Sequence, residues 1–205
     1  MVNNLRNNER IKWVIVGFIL AIHSYSVLQM FFNDNFFEFF ERLRFFTNLS
    51  NILAFLAVLF YVLKLDSKPF YKYFSVITLV SILITGIIYH ALLSDGNLSL
   101  NNHFVHTFSP IAFPIFYFLF VTPGIKIRDF WVTLIFPLCY FVIILIQGAF
   151  TNWYPYGFLN PTLPDASLTS VLVFCCLILL PVIAVFTVFL VFLKNLLEKQ
   201  VIKKA

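Results

Sequence analysis

Residues 101–121 read NNHFVHTFSPIAFPIFYFLFV, and along this stretch the chain passes from a polar loop into an apolar run. The run near 104 to 121 predicts a helix across a membrane, because about 20 helical residues cover a hydrocarbon core. Five further runs of the same kind lie near 12 to 32, 45 to 63, 71 to 93, 130 to 149 and 168 to 193. Composition agrees: 61% of the residues are hydrophobic and 11% charged, with mean hydropathy +0.92, too little polar surface for a water-soluble domain. The expected fold is therefore all-α, a polytopic membrane protein with one bundle of six transmembrane helices over residues 1–205. No internal repeat breaks the pattern, and the loops are too short for a second domain.

Charge sets the expected orientation. Of the 14 basic residues, all but Arg42 and Arg44 fall in the two terminal segments and in the segments around 64 to 72 and 126 to 128. Lys and Arg collect on the cytoplasmic side, so both termini are expected inside and the loops near 33 to 44, 94 to 103 and 150 to 167 outside. The net charge of +5 follows from this distribution and does not point to nucleic acid. Cys139, Cys175 and Cys176 lie in apolar runs without a CxxC pattern and read as small buried hydrophobes. The first apolar run is as long as a span and lacks a small-residue cleavage site, so no cleavable signal is expected.

Polar residues are concentrated at one end of this bundle. Gln29, Thr47, Asn48, Ser50, Asn51, His90, Asn102, His103, His106, Gln147 and Asn152 all fall at the outer ends of their spans. Thr47, Ser50 and Asn51 share a face at i, i+3 and i+4; they read as helix caps or as a site, although capping needs one such residue and Asn48 makes four. Thr78, Ser81, Thr85 and Tyr89 form a stripe on the third span that reads as helix-packing hydroxyls. Pro110, Pro114, Pro137 and Pro181 each remove a backbone donor, and the fourth span is expected to bend just below His106. The segment TNWYPYGFLNPTLPD at 151–165 reads as an aromatic lid at headgroup depth, and Asn97-Leu-Ser has only the form of a glycosylation sequon. His23 lies about 16 Å along the helix from Lys12, at 1.5 Å per residue. A neutral imidazole bonded to a neighbouring helix and a functional group are both open for it.

Three chemistries fit the polar end. A Ser or Thr hydroxyl facing a neutral His is the minimum device for nucleophilic catalysis, and His106, at the start of its helix, suits the base, with side-chain amides or free N–H groups to hold an oxyanion. His90, His103, His106 and Asp95 offer instead three or four ligands for zinc, since HxxH can bind one metal. Haem would want two axial histidines well inside the span, whereas three of the four histidines sit at its rim.

FFTNLSN at 45–51, NHFVHT at 102–107 and WYPYGFL at 153–159, in that order, resemble the androgen-induced-protein (FAR-17a-like) family of transmembrane threonine hydrolases and the related bacterial six-pass predicted membrane protein family. The resemblance implies a catalytic pair, Thr47 as nucleophile and His106 as base, acting on fatty acid esters of hydroxy fatty acids without a cofactor. Asn48, Asn51, His90, Asn102 and His103 would support the pair. Two departures bear on the substrate: HTFSP sets the proline one residue nearer the histidine than in the animal hydrolases, and Asn48 and Asn51 follow the bacterial pattern. The expected partners are a lipid or fatty acyl ester and the membrane itself; in a bacterium that membrane is the plasma membrane. A non-enzymatic lipid-binding or scaffold protein on the same fold is the competing class. Trp153, Tyr154 and Tyr156 are expected against the acyl chain, which would enter laterally from the outer leaflet and end at His23.

Overall fold

The computed structural model describes residues 2–31, 36–94, 96, 99–122 and 124–203. Asp95 and the Asn97-Leu98 half of the sequon lie outside the described residues. The described chain is helical: α1 Val2–Asn7, α2 Glu9–Leu28, α3 Phe36–Arg42, α4 Phe46–Val62, α5 Tyr71–Leu93, α6 Leu100–Phe120, α7 Val132–Thr151 and α8 Leu168–Lys203. Among the described residues five helices, α2, α5, α6, α7 and α8, are long and apolar enough to cross a membrane. The chain is thus an all-helical, multi-pass protein by length and composition. The remaining apolar helix, α4, has 17 residues, about 25 Å at 1.5 Å per residue against a core of about 30 Å. Its end is set by a reversal at Lys64, whose φ of 60° is left-handed. There the Lys64 N–H donates to the Tyr61 carbonyl at 3.0 Å and the Leu65 N–H to Phe60 at 2.8 Å, the paired bonds that close a helix C-terminus.

α5 is the centre of the bundle. Half of it is buried, whereas α2 and α8 each bury 22%. Of the expected hydroxyl stripe, Thr78, Ser81 and Thr85 are fully or nearly buried, and Tyr89 is half-buried. Thr78 and Ser81 donate back to Phe74 and Ile77, and Thr85 reaches across to Ser50 on α4 at 2.6 Å. Gly86 lets α6 close on α5, since a Cβ there would stand 2.8 Å from the Pro110 ring.

α6 starts four residues earlier than its apolar run, because Ser99 accepts the Asn102 N–H at 3.2 Å and caps it. His103 and His106 are therefore inside the helix, where the expectation had them at its opening. The helix widens where the bend was expected: the Ser109 N–H reaches back five residues to the Phe104 carbonyl, immediately before Pro110. The same wide turn precedes Pro181 in α8, with Leu180 N–H on Cys175, and a third ends α5, with Ser94 N–H on Tyr89. A proline cannot donate to the carbonyl four residues back and its ring crowds that carbonyl, and in α6 and α8 the wide turn stands directly before the ring. Such turns gather at functional sites.

The far end of α6 is held by charge. Lys194, fully buried, donates to the Tyr117 and Phe118 carbonyls, both at 3.1 Å, and pairs with Glu198 at 2.8 Å. Arg6 bonds Glu198 at 2.6 Å and the Phe118 and Leu119 carbonyls. Two cations on the orphan carbonyls of one helix end complement its dipole, and they tie α1 and α8 to α6.

Candidate functional site

The N-terminus of α4 has no side-chain cap of its own. Tyrosine hydroxyls from elsewhere replace it. The Phe46 N–H donates to the Tyr140 hydroxyl at 3.2 Å, and Tyr140 in turn donates to the Arg44 carbonyl at 2.7 Å. The Thr47 N–H lies 3.4 Å from the Tyr156 hydroxyl, which is also 3.5 Å from Thr47 Oγ1. The Thr47 hydroxyl is thus not consumed as a cap. Its own carbonyl accepts Ser50 Oγ at 3.0 Å and Asn51 Nδ2 at 2.9 Å, so the residue is pinned from below. Burial holds the Tyr156 phenol above the usual tyrosine range, which keeps it a hydroxyl donor throughout neutral pH.

Thr47 opens onto a polar cavity of about 510 Å³ that Gln29, Arg42, Asn48, Asn102, His106 and Tyr156 also line. The cavity joins the two residues of the expected pair and two of their expected amides. No hydrogen bond links Thr47 to His106 among the described residues. The His106 ring stacks on Tyr89 with centroids 3.6 Å apart and planes at 14°, and its buried Nδ1 has no partner among the described residues. Asn51 lies beneath, fully buried; its Nδ2 also bonds the Val105 carbonyl at 3.2 Å, and its Oδ1 has no partner among the described residues.

The other expected residues are placed apart from the pair. His90 and His103 converge on Thr107, with His90 Nε2 at 3.1 Å and His103 Nδ1 at 3.5 Å from Thr107 Oγ1. The three histidines of the suggested zinc set therefore divide, His106 against Tyr89 and the other two against Thr107, while Asp95 lies outside the described residues; no group of three ligands that could hold a metal forms among the described residues. His23 is fully buried, bonds Ser109 Oγ at 2.6 Å through Nδ1 and meets Phe113 edge-on; it lines neither cavity that Thr47 touches. Of the aromatic lid, Tyr156 lines both. Trp153 packs on Phe45 under the Arg44 guanidinium. Tyr154 sits on Gly148, where a Cβ would fall 2.1 Å from its ring. Tyr140, Tyr89 and Thr107 were not singled out for these roles by the sequence. The signal for Tyr140 is a phenol inside an apolar span, which must find a polar partner.

The second cavity, about 70 Å³, runs from Thr47 and Tyr156 between α5, α7 and α8. Chemically, the arrangement offers a hydroxyl held at the boundary between a polar chamber with an imidazole and an apolar slot. Comparisons with protein-family models, with curated proteins and with solved structures find no match to this chain.

Proposed function

We propose that this chain is a membrane-embedded lipid ester hydrolase, with Thr47 as nucleophile and His106 as base. It is a six-helix bundle in which α4 is the short sixth span and both termini are cytoplasmic; in a bacterium it resides in the plasma membrane. The observation that carries the reading is the shared polar chamber of Thr47 and His106, opening at Thr47 onto an apolar slot: an ester bond placed at Thr47 has room for a polar head on one side and a hydrocarbon chain on the other. Thr47 Oγ1 attacks the acyl carbonyl while His106 accepts its proton. His106 then returns that proton to the departing alcohol. In the second half His106 deprotonates a water that attacks the acyl-threonine ester, and the fatty acid leaves. Asn48 and Asn102 supply amide donors near the developing oxyanion, Tyr156 orients the Thr47 hydroxyl, and the substrate class is the fatty acyl ester implied by the resemblance.

The test is mass spectrometry of the purified protein after treatment with a fluorophosphonate. An adduct on Thr47 is expected, lost in Thr47→Ala and in His106→Ala with expression unchanged. Ester turnover falls about 10³-fold or more in either variant and no further in the double variant, since the two act as a unit. Equal labelling of Thr47→Ala would place the nucleophile elsewhere.

One observation favours a second reading, a lipid-binding protein without turnover: the His106 ring is stacked on Tyr89 and makes no hydrogen bond to Thr47. An unlabelled protein that still retains bound fatty acyl lipid would select it.

A further inference from the structure

The apolar slot below Thr47 contains two side chains that look polar, Thr85 and Tyr140, and both are already satisfied. Thr85 Oγ1 lies 2.6 Å from Ser50 Oγ and 3.1 Å from the Ser81 carbonyl, so its one proton has a partner within the bundle. Tyr140 donates to Arg44 and accepts from Phe46. The remaining walls are apolar, with Ile84 and Leu93 of α5, Pro137 and Phe141 of α7, and Cys175 and Ile183 of α8 among them. A volume of about 70 Å³ is several times the roughly 10–15 Å³ that one water needs, but an apolar cavity with no free polar partner stays dry. Among the described residues the hydroxyls left to a ligand are those of Thr47 and Tyr156, at the mouth, and both also face the polar chamber. Leu93 is the third residue common to the two cavities.

We infer that the slot between α5, α7 and α8 binds one unbranched hydrocarbon chain, the acyl chain of the substrate, and that Ile84, Pro137 and Ile183 at its inner end limit the chain length accepted. This rests on the hydrolase reading for the identity of the lipid but not for its binding. The lining of α5 runs from Ile84 to Leu93, or about 13 Å along the axis at 1.5 Å per residue. Ile84 and Ile183, at the inner end, are both buried, and Pro137 beside them is half-buried. The wide turn of α8 before Pro181 puts Cys175 and Leu179 on the wall, which ties the irregular backbone there to the shape of the slot.

The test uses the full-length protein in detergent and a saturated fatty acid carrying a mid-chain diazirine. Irradiation should attach the probe to α8 at Cys175, Leu179 or Ile183, in competition with unlabelled fatty acid, and equally in Thr47→Ala. Ile183→Trp and Cys175→Phe should lower kcat/KM for long-chain esters about tenfold or more and leave short-chain esters unchanged, whereas Val182→Trp, on the 60% exposed face of the same helix, changes neither. Labelling confined to exposed Leu177 and Ile178, or labelling that unlabelled acid does not compete away, would assign the probe to bulk lipid and overturn the inference. Competed labelling of the slot with no ester turnover would leave the slot standing and remove the hydrolase reading.

Discussion

Thr47 and Tyr156 are joined by two long contacts, 3.4 Å to the Thr47 N–H and 3.5 Å to its hydroxyl, and little else holds that hydroxyl in place. Tyr156→Phe keeps the ring and its stacking on Phe158 while removing both contacts. The loss of one such bond costs about 1 kcal/mol, small against the stability of the bundle. The expected outcome is a thermal midpoint lowered by a few degrees at most in detergent, with fluorophosphonate labelling of Thr47 slowed at least tenfold. Labelling at the wild-type rate would assign Tyr156 to capping of α4 alone. The neighbouring Phe46 N–H supplies the control, because Tyr140 satisfies it in either case.

At the level of elements, the site depends on how the α7 to α8 connection is folded back. α7 ends where Asn152 turns left-handed at φ 53° and its N–H caps Gly148. Gly148 then accepts the Tyr154 ring so closely that a Cβ would lie 2.1 Å from it. Inside a helix, Gly to Ala ordinarily stabilises by about 0.5–1 kcal/mol, whereas overpacking costs about 1–3 kcal/mol. The clash wins. Gly148→Ala should lower stability and displace the loop that carries Tyr156, measurable as a lower melting temperature together with slower Thr47 labelling. A variant more stable than wild type with normal labelling would show that the loop is held by something other than Tyr154.

For the whole molecule, the charged clamp and the polar chamber lie at opposite ends of α6. Arg6, Lys194 and Glu198 close on the carbonyls of Tyr117, Phe118 and Leu119, while His106 sits near the other end. In the proposed topology the clamp faces the cytoplasm and α4 crosses despite its 17 residues. A short apolar helix crosses by local thinning of the bilayer at modest cost. Reporter fusions within 64–72 and after the C-terminus should therefore both read cytoplasmic, and a fusion within 160–165 external. A fusion within 64–72 that reads external would mean that α4 does not cross, and the proposed topology would fail.

Hydropathy alone was sufficient for the helical class and for five helices long and apolar enough to cross a membrane among the described residues, because a hydrocarbon solvent penalises every unpaired polar group and leaves long apolar helices as the economical solution. The pairing of Thr47 with His106 was implied by the resemblance, and both residues line one chamber. What only the tertiary structure decided is which of these groups meet. The α4 cap comes from Tyr140 and Tyr156, 94 and 109 residues away, and a tyrosine in an apolar span carries no sign of the helix end it will satisfy. His90, on α5, and His103, one turn before Thr107 on α6, both turn to Thr107 instead. His23 was legible as a buried histidine but not as a partner of Ser109, and the slot beneath Thr47 exists only where α5, α7 and α8 fail to close. Local sequence specifies a helix and its faces; the gaps between helices follow from how ridges, prolines and glycines on separate segments fit together.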